Sequence, residues 1–156
     1  MPRYRVCRAF TVESGHMLSK HPEACRFPHG HTRRIEIVVS SERLDLNDMV
    51  VDFKALKLAL EDFIEQFDHS MALNSSDPMR AEMERIYPGS TVVFEGVDPT
   101  TEVMAKHIFD FVASVIEVGF EGQSGTGAAY RIEPSIVRLE CVRVGETPNS
   151  WAEYGV

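Results

Sequence analysis

The stretch CRFPHGHTRRIEIVVSS, residues 25–41, decides how this chain is read. From Thr32 to Ser41 it alternates, with Ile35, Ile37 and Val39 on one side and Arg34 and Glu36 on the other, the pattern of a strand with one buried face. Just before it stands His29-Gly30-His31. In an extended segment residues i and i+2 point to the same face. Two imidazoles separated by one glycine can therefore grip one ion, and Gly30 lets the backbone bend without a side chain in the way. Arg3 to Ser14 is a second alternating run, with Tyr4, Val6, Phe10 and Val12 on one face and Arg8 the exception. His16 lies just past it, so pairing of the two runs would bring His16 beside His29 and His31. Three neutral imidazoles with an open position are the arrangement of a catalytic zinc site. A nitrogen-only set also admits other divalent ions. The connection from His16 to His31, rich in His, Pro and Gly, is no tight turn and is itself a candidate site.

Two longer helices follow. Asp52 caps a helix from Phe53 to about Phe67, with Phe53, Leu56, Leu60, Phe63, Ile64 and Phe67 at helical spacing. Pro99-Thr100-Thr101-Glu102 opens the longest helical pattern, whose buried face would be Val103, Ile108, Phe111, Val112 and Val115, ended by Gly119. Between them Asp77-Pro78 starts a short helix with Met79, Met83 and Ile86 on one face, ended by Pro88-Gly89, and Thr91 to Phe94 is a brief β-prone run. Residues 119–127 are glycine-rich and read as an exposed loop or hairpin tip. Ile136 to Val144 is a third strand and Trp151 to Tyr154 a last short one. The order strand, strand, helix, helix, strand, strand predicts one α+β domain over residues 1–156 with an antiparallel sheet.

Composition excludes several classes. The chain has 156 residues, 16 basic and 24 acidic, for a formal net charge of −8. That balance argues against a nucleic-acid surface. No apolar run is long enough for a membrane span, and the start, MPRYRVCRAF, lacks the apolar stretch of a secretory signal, so a cytoplasmic location is expected. Cys7, Cys25 and Cys141 are odd in number and far apart, as reduced thiols are.

Further candidates surround the histidines. Cys25, four residues before His29, can be a fourth ligand, a thiolate base or a small buried hydrophobe. Asp68-His69 places a carboxylate next to a histidine, which can charge and orient it for proton transfer, although such pairs also arise by chance. Glu146 at a strand end can accept two hydrogen bonds from an amino-heterocycle edge or stand solvated. Thr100 and Thr101 fit a helix cap equally well. His21, His107, Cys7 and Cys141 read as structural or solvated.

Taken in order, FTVESGH (Phe10 to His16), CRFPHGH (Cys25 to His31), VVDFKALK (Val50 to Lys57), FDHSMALN (Phe67 to Asn74), DPTTE (Asp98 to Glu102) and VGETP (Val144 to Pro148) resemble the 6-pyruvoyltetrahydropterin synthase superfamily over nearly the whole chain. The spacing Cys-x3-His-Gly-His resembles the bacterial 6-carboxytetrahydropterin synthases of queuosine biosynthesis rather than the animal type, which has Cys-x5-His-Gly-His. The resemblance implies a tunnelling fold, with a four-stranded antiparallel sheet and two helices inserted between strands 2 and 3. Trimers would join their sheets into a barrel and stack as a homohexamer. It implies Zn2+ on His16, His29 and His31, a catalytic thiol at Cys25, an acid/base pair at Asp68 and His69, and a pterin pocket anchored by Glu146 and lined by Thr100 and Thr101. The implied reaction converts 7,8-dihydroneopterin triphosphate to 6-carboxy-5,6,7,8-tetrahydropterin with release of acetaldehyde and triphosphate. Formation of 6-pyruvoyltetrahydropterin and a non-catalytic zinc- or pterin-binding role are the competing expectations. Residues 75–90 and 119–134 exceed the short members of the family, and Arg26, Arg33 and Lys54 are the candidate cations for a triphosphate.

Overall fold

The computed structural model describes residues 1 and 3–156. Along the chain run β1 (Tyr4–His16), a 3-10 turn (Ala24–Arg26), β2 (His29–Ser41), α1 (Phe53–Glu65), β3 (Ser70–Asn74), α2 (Met79–Ile86) and β4 (Thr91–Phe94). They are followed by α3 (Thr101–Val118), β5 (Phe120–Gln123), β6 (Ala129–Ile132), β7 (Arg138–Thr147) and β8 (Ser150–Gly155). The main sheet has six strands in the order β4-β3-β1-β2-β7-β8. The expected four antiparallel strands are β1, β2, β7 and β8. The other two correct that expectation: β3 pairs parallel with β1, and β4 parallel with β3. Three helices rather than two lie between β2 and β7.

The alternation in the sequence sets the layers. Val12 on β1, Ile35, Ile37 and Val39 on β2, and Val142 and Val144 on β7 are buried in one cluster with Leu56, Leu60 and Ile64 of α1 and Met104, Ile108 and Val112 of α3. The apolar stripes of the two long helices thus cover one face of the sheet. Asp52 caps α1 by accepting from the Lys54 amide at 2.7 Å, as its position predicts. Gly119 ends α3 with φ 86°, a conformation that favours glycine. Of the predicted α3 face, Ile108 and Val112 are fully buried, and Met104, Ala105 and Ile116 join them. Val103, Phe111 and Val115 pack at its margin.

The opposite face is mixed, with Cys7, Val38 and Cys141 in one row and a charged row beside it. Glu36, Arg143 and Glu153 stand opposite one another across β2, β7 and β8, and Arg143 bonds Glu153 at 2.9 Å. α2 forms where the sequence places it, but none of its residues is buried: Met79 is 41% and Ile86 50% exposed. The glycine-rich 119–127 region is the first strand and tip of a β5–β6 hairpin. No helix among the described residues is long and apolar enough to cross a membrane.

Candidate metal centre and its surroundings

Both histidine segments lie inside strands. In the β1–β2 register His16 faces His29, and Ser14 faces His31. The three rings meet with centroids 4.5, 5.1 and 5.2 Å apart, and one ligand atom from each lies within 4.8 Å of the others. The Nε2 atoms of His16 and His31 are 3.2 Å apart. Two nitrogens held at about 2.0–2.1 Å by one tetrahedral zinc would sit about 3.3 Å apart, so the spacing fits the ion.

Backbone carbonyls select the tautomers. His16 Nδ1–H donates to the Pro99 carbonyl and His29 Nδ1–H to the Phe27 carbonyl, each at 2.8 Å. Each bond leaves Nε2 with its lone pair free for a metal. His16 is completely buried. Burial, aided by the charge of Arg33, pushes its pKa down to about 4, and burial lowers that of His31 as well. Near neutral pH these imidazoles are unprotonated, the form that binds metal. Asp98, which sequence reasoning did not single out, fixes the segment before Pro99. It accepts from Ser19 Oγ at 2.6 Å, the Lys20 amide at 2.8 Å and Asn74 Nδ2 at 2.9 Å.

Glu146, at the end of β7, brings its Oε1 to 3.8 Å from His16 Nε2 and 3.7 Å from His31 Nε2. Thr101 Oγ1 donates to that same oxygen at 3.1 Å. Thr100 plays the capping part, accepting from the Val103 amide at 3.2 Å. Arg33 corrects an expectation. As a triphosphate cation it would have to be reachable, yet it is completely buried, with Nη1 donating to Thr101 Oγ1 at 3.0 Å and Nη2 3.2 Å from His16 Nδ1. Its parity was a readable signal, since residue 33 shares the face of Ile35, Ile37 and Val39. Arg26 and Lys54 remain exposed, each over an aromatic ring.

Asp68 and His69 occupy the turn into β3. The Glu13 amide donates to Asp68 Oδ1 and the His69 amide donates back to the Glu13 carbonyl, both at 2.7 Å. His69 sits at φ 52°, a conformation costing a non-glycine residue about 1–2 kcal/mol. Its Nδ1–H meets Asp68 Oδ2 at 2.6 Å. That bond and the carboxylate charge raise the pKa of His69, while the Glu13 amide and His69 lower that of Asp68. Cys25 lies on the 3-10 turn, half-buried, and outside the three-histidine group. His107 is packed among Phe63, Phe67 and Phe94, and His21 Nδ1 accepts from the Glu23 amide, so both are structural.

Two clefts flank the histidines. One of about 630 Å³ holds His31, Glu146, Arg34, Arg143 and Trp151. The other, of about 480 Å³, holds His29 and His69 against Met83 and Tyr87. Residues 75–90 therefore wall the cleft that carries His69.

Fold and site together define a class: an α+β domain with a three-histidine pocket, suited to a divalent metal, at the strand ends. The chain belongs to the 6-pyruvoyl tetrahydropterin synthase family, whose profile matches residues 5–155. Among named relatives, the 6-carboxy-5,6,7,8-tetrahydropterin synthase of Aquifex aeolicus is 29% identical, covering 97% of this chain and 98% of that protein. The enzyme of the same name from Rickettsia conorii is 31% identical over 67% of this chain and 76% of its own. Among solved structures, an uncharacterised protein of Wolinella succinogenes superposes with a TM-score of 0.76 at 21% identity, covering 99% of both chains. Caenorhabditis elegans 6-pyruvoyl tetrahydropterin synthase does so with 0.63 at 19%, covering 100% of this chain and 97% of that one.

Proposed function

We propose that the protein is a zinc-dependent 6-carboxy-5,6,7,8-tetrahydropterin synthase. It would convert 7,8-dihydroneopterin triphosphate and water to 6-carboxytetrahydropterin, acetaldehyde and triphosphate. The observation that carries the reading is the triad His16, His29 and His31, whose ligand atoms lie within 4.8 Å of one another, with the tautomers of His16 and His29 set by backbone carbonyls and Glu146 Oε1 within 3.8 Å of Nε2 of His16 and His31. The names of relatives aligned over almost the whole chain support the carboxy product.

His16, His29 and His31 would hold the ion. Bound there, zinc supplies Lewis-acid polarisation of the substrate's side-chain oxygens, lowering their pKa. Glu146 accepts from the amino edge of the pterin and orients the ring, which is catalysis by positioning. The Cys25 thiolate takes a proton from the side-chain carbon next to the ring. His69, kept charged by Asp68, donates a proton further along the side chain. Carbon–carbon cleavage then follows as a retro-aldol step. The open edges at β4 and β8 suit assembly into a trimeric barrel and a hexamer, which would cover both edges. A cytoplasmic location fits this substrate.

The test is the mass of the pterin formed by zinc-loaded protein from 7,8-dihydroneopterin triphosphate. Loss of the two-carbon fragment is expected. A product that keeps the full carbon skeleton would replace this reading with 6-pyruvoyltetrahydropterin formation.

A further inference from the structure

Among the described residues Arg33 is the largest completely buried side chain, and neither strand geometry nor the metal triad requires a cation there. Its guanidinium crosses from β2 to two other elements. Nη1 donates to Thr101 Oγ1, on the first turn of α3, at 3.0 Å and to the Gly145 carbonyl on β7 at 3.4 Å. The next residue, Glu146, receives the Thr101 hydroxyl on Oε1 at 3.1 Å. A threonine hydroxyl has one proton and can rotate freely. Because its oxygen is already engaged by Arg33, the proton is directed to Glu146. The chain of donors therefore runs one way, from guanidinium to hydroxyl to carboxylate.

We infer that Arg33 is a positioning residue for the ring-binding carboxylate: through Thr101 it fixes Oε1 of Glu146 and leaves Oε2 free to accept from an amino-heterocycle. This rests on the proposed pterin reading and names the device that sets its orientation. Three separate segments, β2, the start of α3 and the end of β7, converge on one buried cation. A solvent-exposed lysine or arginine could not hold them with the same directionality, since water would compete for each donor. The Gly145 carbonyl adds a second hold one residue from the carboxylate, so backbone and side chain of the 145–146 segment are fixed by the same group.

The test measures binding of 6-hydroxymethylpterin, by quenching of its fluorescence, to zinc-loaded parent, Arg33→Met, Thr101→Val and the double variant. Loss of a hydrogen bond involving a charged group weakens binding about ten-fold or more. Each single variant should therefore weaken pterin binding by about ten-fold, and the double should be within about two-fold of the weaker single, because both break one relay. Zinc content and unfolding measured on each variant separate a loss of pterin binding from a disturbed metal site or a misfolded chain, since Thr101 holds the same guanidinium that lies 3.2 Å from His16 Nδ1. Single variants that bind within about two-fold of the parent overturn the inference, as does a double variant whose loss is about the product of the two single losses. Failure of the parent itself to bind the pterin would sink the proposed function instead, which keeps the two failures apart.

Discussion

His16 Nδ1 lies 2.8 Å from the Pro99 carbonyl oxygen, which ties a completely buried imidazole to the entrance of α3. The carbonyl is in turn held by its neighbour Asp98, whose carboxylate gathers Ser19, Lys20 and Asn74. Asp98→Ala removes all three bonds. Outer-shell changes of this kind lower metal affinity by about 10–100-fold. Competition of the folded variant against a chelator should show that drop in zinc affinity. Affinity equal to the parent's would mean that the Asp98–Pro99 segment does not orient His16.

Cys25 stands outside the three-histidine group. Cys25→Ala should therefore keep its zinc while turnover falls by about 10²–10⁴-fold, the usual contribution of a positioned acid or base. Metal analysis and a rate assay on the same sample check both halves. Turnover as fast as the parent's would remove the thiol from the mechanism, and loss of the metal would make it a ligand.

The pH behaviour of the Asp68–His69 pair has a definite sign. The hydrogen bond and charge of Asp68 raise His69 above its ordinary value of 6.5. Its stabilising contribution is thus complete below pH 6.5 and is lost as pH rises through the raised value. Asp68 is lowered from 3.8, so its contribution is present above that pH and fades as pH falls through the lower folded value. NMR titration of the His69 ring should give a midpoint above 6.5 that returns toward 6.5 in Asp68→Asn. An unchanged midpoint in the variant would show that the carboxylate does not set the charge of His69.

The left-handed backbone of His69 allows function and stability to be separated. Asparagine tolerates φ near 52° better than most residues, so His69→Asn should change unfolding free energy by no more than about 1 kcal/mol. Under the proposed mechanism, in which His69 carries a proton, catalysis should fall by about 10²-fold or more. Urea unfolding and steady-state rates measure the two effects. Rates within a few-fold of the parent's would leave His69 a turn residue only.

Much of the site is legible in the sequence because its parts are local or related by one strand pair. His29-Gly30-His31 is contiguous, and His16 reaches it through the β1–β2 register, which alternation alone makes readable. The cap at Asp52 and the stop at Gly119 are likewise local signals. β3 was not legible. Its sequence, SMALN, is short, and its partner is a parallel strand far back in the chain rather than a hairpin neighbour. Pairing of that kind leaves no local pattern. The carboxylate contacts of Asp98 and the left-handed turn at His69 are tertiary for the same reason. Arg33 lies between these cases: its parity placed it inward, but its charge suggested solvent.

The role of the three histidines is tested most directly by turnover of 7,8-dihydroneopterin triphosphate as zinc is titrated back into metal-free protein. Activity should rise with bound zinc and level off at about one ion per chain, and His31→Ala should neither retain the ion nor recover activity. Metal-free protein that turns over as fast as the reloaded enzyme, or a His31→Ala variant that responds to zinc like the parent, would contradict it.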